Sequence, residues 1–158
     1  MRINVIFPGV IGLVLIFGTL VCHAAKWDKN DYANSTIKSG YYDANSIKVN
    51  GKMVSWTEKY ILTSAGATAI TAELKKYPVC RENIAKKGTV TQYQLDYQIE
   101  KGKFRGAAKR YYNKANELLC TNKDTGNELK SDWNTILRAS PMEQAQYDLV
   151  TKYKVKFQ

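Results

Sequence analysis

The dipeptide Asn50-Gly51 lies between two runs of residues that favour β-structure, and it constrains the fold more than any other feature. Both residue types accept positive φ, so the pair is typical of the tight turn of a β-hairpin. The first run spans 40–49 and the second spans 52–61. A carboxylate, Glu58, interrupts the apolar face of the second run, which is formed by Val54, Trp56 and Tyr60. The sequence therefore predicts a hairpin with an imperfect alternation on its second strand.

Alternating side chains predict a further strand from Thr89 to Ile99, where tyrosine, leucine and isoleucine alternate with glutamine and aspartate. A turn over 100–103 ends this strand. Two more β-rich segments, 110–112 and 117–120, predict another pair of strands.

The C-terminal region carries the clearest helix signal. Ser140 fits the N-cap, Pro141 the first helical position and Glu143 the third, which together form a capping box. Apolar residues then recur at helical spacing: Met142, Ala145, Leu149 and Tyr153. The fold class predicted from these elements is α+β, a mostly antiparallel β-sheet with a C-terminal α-helix packed on it.

Four other segments carry mixed signals. Residues 26–38 are polar and predict an irregular lead-in, and 67–76 combine helix and strand features. Because Pro78 disfavours helix before it, 77–80 are expected to be extended. The tail 152–157 alternates lysines with apolar residues, which fits either an edge strand or a frayed terminus.

The N-terminus has the form of an export signal. Arg2 precedes an uncharged apolar run that ends at Val21, and small residues follow at Ala24 and Ala25. Cleavage after Ala24 is expected, with Ala25 as a second position; lipidation at Cys22 and retention as a membrane anchor are the alternatives. The predicted organisation is a secretory signal peptide over 1–24, a lead-in over 25–38 and one domain over 39–158.

Loss of this signal changes the chemistry available to the remaining domain. His23, the only histidine, leaves with the signal, which excludes a Ser-His-Asp or Cys-His nucleophile and imidazole metal sites. No metal or cofactor is expected. Cys80 and Cys120 remain, and two cysteines in an exported chain are expected to form a disulfide, with buried free thiols as the alternative.

Several short motifs resemble the surface-adhesin protein E family of Gram-negative bacteria. They are Tyr41-Tyr42-Asp43, Asn45-Ser46-Ile47, Asn50-Gly51, Trp56, Tyr77 with Cys80, and Trp133 with Ile136 and Ser140-Pro141. The resemblance implies an antiparallel sheet with a packed helix, often dimeric, and in the founding adhesin it implies surface display with binding to host matrix and serum proteins. The chain departs from the family's pattern in its second cysteine, which is Cys120 instead of a residue after the final helix.

A basic excess points to the partner. The chain has a formal net charge of +10, and its central part is rich in lysine and arginine. These cations predict a binding face for an acidic macromolecule or a host matrix protein, while nucleic acid is not expected for an exported chain. The candidate binding face consists of Lys86, Lys87, Lys101, Lys103, Arg105, Lys109 and Arg110.

The function expected from the sequence is that of an exported, non-enzymatic binding protein, periplasmic or on the outer surface, with a homodimer as one possible state. One alternative is a periplasmic module that binds envelope components without contacting a host. A second is a carboxylate-dependent hydrolase, which needs two carboxylates facing one cleft. The carboxylates available for it are Asp43, Glu58, Asp96 and Asp132.

Overall fold

The computed structural model describes residues 24–126 and 132–157. Apart from Ala24, the predicted signal peptide lies outside these residues, and so does Cys22. Within the two described ranges, no helix combines the length and hydrophobicity needed to cross a membrane.

Eight strands in the described part of the chain form one antiparallel sheet. Their bounds are β1 (Trp27–Asn30), β2 (Ile37–Asp43), β3 (Lys48–Asn50), β4 (Met53–Leu62), β5 (Gln92–Glu100), β6 (Lys103–Tyr112), β7 (Leu118–Thr121) and β8 (Asn134–Thr135). The main path runs in the order β1-β2-β4-β5-β6-β7, with β3 beside β4 and β8 beside β6. Together with the helices α1 (Ser64–Leu74), α2 (Pro78–Lys87) and α3 (Pro141–Thr151), this sheet confirms the α+β class and the C-terminal helix.

A hairpin at this place is confirmed, but its turn lies one residue later than predicted. Asn50 is the last residue of β3 and pairs with Met53, so the two turn residues are Gly51 and Lys52, and Gly51 has the positive φ of 59°.

The first strand of the hairpin is shorter than expected. A 3-10 turn, Ala44–Ser46, separates β2 from β3, and the carboxylate of Asp43 caps this turn by accepting a hydrogen bond from the amide of Asn45. The run from 40 to 49 is therefore two strands.

Strand β4 lies in the middle of the sheet, and its even-numbered side chains are all buried. Val54 and Trp56 join a cluster with Met142, Ala145 and Leu149 of α3. Tyr60 and Leu62 join a second cluster with residues of α1 and α2, namely Leu74, Cys80 and Ile84. All three helices thus pack on one side of the sheet, here called the inner face, and the opposite side is called the outer face.

Part of the predicted irregular lead-in forms a strand of the sheet. Strand β1 pairs with β2, from Trp27 opposite Asp43 to Asn30 opposite Gly40. The expectation of irregular chain over 26–38 was wrong for these four residues, because a polar strand at a sheet edge does not need an apolar alternation. It was also wrong for Ile37 and Lys38, which begin β2.

The ambiguous stretch and the segment after it are helical. Residues 64–74 form α1, whose N-cap Thr63 accepts a hydrogen bond from the amide of Gly66. The expected extended conformation at 77–80 was wrong, because Pro78 occupies the first turn of α2, where its missing N–H is not needed. Only Tyr77, the residue before the proline, is extended.

Helix α3 begins as predicted, with one difference in its cap. The Ser140 hydroxyl accepts from the amide of Glu143, but the Glu143 carboxylate accepts from the amide of Ala139 at 2.6 Å. The tail after this helix is neither an edge strand nor frayed. Val155 is buried in the cluster beneath α3, and its amide donates to the carbonyl of Leu149.

Cys80 of α2 and Cys120 of β7 form a disulfide, with their Cα atoms 5.1 Å apart. Both side chains are buried in the cluster beneath α1 and α2. The bridge closes a loop over a sequence separation of 40 residues and fastens α2 to the edge of the sheet. A disulfide of this kind is typical of an oxidising, exported compartment.

Replacing both cysteines in the variant Cys80→Ala/Cys120→Ala should lower the free energy of unfolding by about 3–4 kcal/mol, the value expected for a loop of this length. Chemical denaturation of the two purified proteins measures the difference. Adding reductant to the wild type should bring its unfolding midpoint close to that of the variant. Equal stability of variant and oxidised wild type would contradict the bridge.

Candidate functional site

The seven basic residues predicted to form a binding face lie at four places. Lys103, Arg105 and Arg110 lie on the outer face of β6, and Lys101 lies in the turn before it. Lys86 and Lys87 occupy the last turn of α2, on the other side of the molecule. The remaining residue, Lys109, lies on the inner face.

A β-bulge in β6 explains the position of Lys109. Gly106 pairs with Tyr97 and Ala108 pairs with Asp96, so Ala107 is an extra residue. Beyond the bulge the alternation shifts by one residue. Lys109 therefore points to the inner face, where its ammonium lies 4.3 Å from the ring centroid of Tyr93. Burial lowers the pKa of this lysine.

Cations on the outer face are held against aromatic rings. The ammonium of Lys59 lies 4.1 Å from the centroid of Trp27 and 5.2 Å from that of Tyr41. The guanidinium of Arg105 lies 4.8 Å from the centroid of Trp133 and donates to the side chain of Gln98. Such contacts orient a cation without cancelling its charge.

Arg110 is held differently, by an ion pair. Its two terminal nitrogens donate to both oxygens of Asp96 at 2.5 and 2.7 Å. This pair raises the pKa of Arg110, chiefly through the hydrogen bonds. The net positive charge at this position is correspondingly small, so Lys59 is a stronger candidate than Arg110 for contact with an anion.

The strand register places Lys59 and Arg110 in one row across the sheet, together with a third cation, Lys29. Lys29 of β1 pairs with Tyr41, which pairs with Lys59, then Gln94 and Arg110. The cations alternate with uncharged residues, and two strand spacings separate each from the next by about 10 Å. Sequence analysis missed Lys29 and Lys59, because neither belongs to a basic run and their alignment depends on two strand pairings.

The four carboxylates singled out in the sequence have separate roles. Asp43 caps a turn and Asp96 pairs with Arg110, both toward the outer face, and Asp132 is exposed. Glu58 lies on the inner face of β4 between Trp56 and Tyr60, and only 3% of its surface is exposed. The residue that interrupted the predicted apolar face is thus buried in it.

Two hydrogen bonds hold the carboxylate of Glu58. The indole nitrogen of Trp56 donates to one oxygen at 2.8 Å, and the hydroxyl of Tyr60 donates to the other. Burial raises the pKa of Glu58 to about 7; the two hydrogen bonds oppose this shift, and repulsion from Asp148 adds to it. A buried acid with such a pKa is a frequent mark of a functional site.

Glu58 lies in the gap between the two helical layers, and a cavity of about 470 Å³ opens there. Rings from four strands and the loop after β1 line it, and a second cavity of about 470 Å³ adjoins it next to α3. The five tyrosines of the first cavity are Tyr32, Tyr42, Tyr60, Tyr93 and Tyr97. Size and lining are those of a small-molecule site.

Within the described ranges, no three His, Cys, Asp or Glu side chains converge as a metal site would require. The outer face presents cations and rings, and the inner cavity presents a carboxylate among tyrosines.

Comparison with known proteins adds no assignment: no protein-family model matches the chain, and no curated protein matches it with significant sequence similarity. The resemblance to the surface-adhesin protein E family stays a prediction that rests on the motifs quoted above.

The buried acid predicts a pH-dependent stability. Between pH 4.5 and 7 the unfolded chain releases the Glu58 proton while the folded protein keeps it, so the free energy of unfolding falls as pH rises, by about 3 kcal/mol. Below and above this window the contribution is constant. The groups around this acid are Trp56, Tyr60, Tyr42, Tyr97 and Asp148.

Glu58→Gln should remove this fall in the free energy of unfolding with pH, since the amide resembles the protonated acid and does not titrate. Denaturation of variant and wild type at several pH values between 4 and 8 measures it. The matched control is Glu82→Gln on the exposed side of α2, whose difference from wild type should not vary through the window. If the free energy of unfolding of Glu58→Gln differed from that of the wild type by the same amount at every pH, the raised pKa of Glu58 would be contradicted.

Proposed function

We propose that this chain is an exported, non-enzymatic binding protein that attaches to an acidic macromolecule through the outer face of its sheet. The observation that carries the proposal is the row of cations Lys29, Lys59 and Arg110 on a face to which none of the three described helices packs. Within this row Lys59 lies against aromatic rings, and so does Arg105 on the same face. Sheet faces exposed in this way commonly serve recognition when aromatic and cationic side chains occupy them.

Charge and geometry favour an extended polyanion as the ligand. The row from Lys29 through Lys59 to Arg110 crosses the strands, and Arg105 and Lys103 extend the charge along β6. A linear polymer with repeated sulfate or carboxylate groups can contact several of these cations at once, whereas a single small anion contacts one. A glycosaminoglycan of a host matrix has this chemistry.

Export is supported by two independent features of the chain. The N-terminal segment has the charge, apolar run and small residues of a secretory signal. The Cys80–Cys120 bridge persists best in an oxidising compartment. The resemblance to surface-adhesin protein E agrees with this location and with binding to matrix or serum proteins.

A periplasmic role is the second candidate function. The same cationic face suits anionic envelope polymers or lipid head groups, and nothing in its geometry requires a host ligand. The two candidates differ in where the outer face is exposed.

Binding to a heparin column tests the proposed surface. The variant Lys29→Ala/Lys59→Ala/Arg105→Ala should bind heparin about tenfold more weakly at physiological salt, because the contacts of one exposed and two half-buried cations are each worth about 0.5 kcal/mol. Wild-type binding should weaken as salt rises. The measurement is the salt concentration at elution, followed by titration in solution.

The matched control is Lys75→Ala/Arg81→Ala/Lys114→Ala, which removes the same charge from exposed positions outside the outer face. It should elute close to the wild type. Equal losses in the two variants would show that net charge alone drives retention, and the proposed face would then be wrong.

Protease shaving of intact cells separates the surface from the periplasm. If the domain is displayed outside, an antibody against it should lose its signal while a periplasmic marker survives. Protection of the domain until the outer membrane is opened would favour the envelope role.

A further inference from the structure

The inner-face cavity has a composition that contrasts with the rest of the chain. The sequence contains 24 lysines and arginines against 14 aspartates and glutamates. Even so, no lysine or arginine is among the described residues that line this cavity or its neighbour, whereas four carboxylates are. They are Asp31, Glu58, Glu143 and Asp148. If the charged residues of this chain were distributed at random, basic residues would outnumber carboxylates in the lining. The observed excess of carboxylates therefore favours binding of a cation.

The buried carboxylates differ in how their charge is balanced. Asp148 forms an ion pair with Lys152 at 3.2 Å and accepts from the side chain of Gln144. Among the described residues, Glu58 takes part in no ion pair; its partners are the neutral donors Trp56 and Tyr60. Burying a carboxylate without a counter-charge is costly, so a cation that enters the cavity gains a strong electrostatic partner.

The tyrosine rings around Glu58 are turned at different angles. Tyr32 and Tyr60 meet edge to face, with centroids 5.7 Å apart and an interplanar angle of 77°, while Tyr60 and Tyr93 are tilted by 31° at 5.0 Å. Tyr97 stacks on Trp56 at 5.4 Å. Rings set at such angles around a cavity present both faces and edges to it, as in the aromatic cages that bind ammonium groups.

The chain already uses one of these rings in this way. The ammonium of Lys109 lies 4.3 Å from the centroid of Tyr93 and 5.0 Å from that of Tyr111. Tyr93 also lines the cavity, on the side of Glu58. A cation–π contact is thus compatible with the local packing, and the cavity offers the same ring system to a cation that is not part of the chain.

We propose that the cavity between the two helical layers binds a small organic cation, with the ammonium group against Glu58 and the surrounding tyrosine rings. Its volume of about 470 Å³ accommodates a quaternary or primary ammonium with a short carbon chain. The adjoining cavity, with Asp31, Glu143 and Asp148 in its lining, receives the polar or charged far end of the ligand. This site lies on the opposite side of the sheet from the outer face and does not depend on the proposed function.

Calorimetric titration of the purified protein with two cations tests the proposal, at pH 8, above the pKa of about 7 at which Glu58 ionises. The probes are choline and putrescine, and the reference is the carbon isostere of choline, in which a tert-butyl group replaces the trimethylammonium group. At least one cation should bind with a dissociation constant below about 1 mM, and the neutral isostere at least about tenfold more weakly than choline if choline is the binder. Putrescine binding without choline binding would assign the site to primary amines.

Two variants locate the site. Glu58→Gln should weaken binding of the cation at least about tenfold, while Glu82→Gln, which removes an exposed carboxylate from α2, should leave it unchanged. If Glu58→Gln does not fold, the comparison between choline and its isostere on the wild type still decides the matter. Absence of binding by both cations at 10 mM, about ten times the expected constant, or equal affinity for choline and its isostere, would overturn the proposal.

Discussion

The fold depends on the strict alternation of strand β4, the central strand whose even-numbered side chains all point to one side. Four of them anchor the helices: Val54 and Trp56 beneath α3, Tyr60 and Leu62 beneath α1 and α2. The helices cover the two ends of strand β4 and not its middle. The fifth side chain, Glu58, therefore lies in the gap between the two helical layers. A polar residue is tolerated there, and the cavity is a direct result of two helical layers that do not meet.

The same alternation separates the proposed anion-binding face from the proposed cation site. Lys59, one residue from Glu58, points outward onto Trp27 and Tyr41. Tyrosine serves both sides, because its ring packs like an apolar group and its face attracts cations. On the outer face the chain supplies the cations and the proposed partner is an anion, whereas in the cavity the chain supplies the carboxylate and the proposed ligand is a cation.

Local signals in the sequence predicted the elements whose structure is locally determined. The hairpin near Asn50-Gly51, the alternation of β5 and the cap of α3 each depend on a few neighbouring residues. Pro78 misled the prediction, because one residue type both excludes helix before it and starts a helix at it. The cationic row and the cavity could not be predicted, since Lys29 meets Lys59 only through two strand pairings and Glu58 meets its tyrosines only once the helices are placed.

The bulge at Ala107 has a consequence for how related chains should be aligned. Regular strand alternation from Arg105 would place Lys109 on the same face of the sheet. Lys109 lies on the opposite face because the bulge inserts one extra residue between them. A homologue lacking this single position would keep a regular ladder and the same two surfaces. A homologue of the same length without the bulge would exchange them at Lys109 and Arg110, with the guanidinium turned toward the tyrosines and the ammonium toward solvent. Gap placement in this strand therefore decides whether two sequences share these surfaces, even where their lengths differ by one residue only.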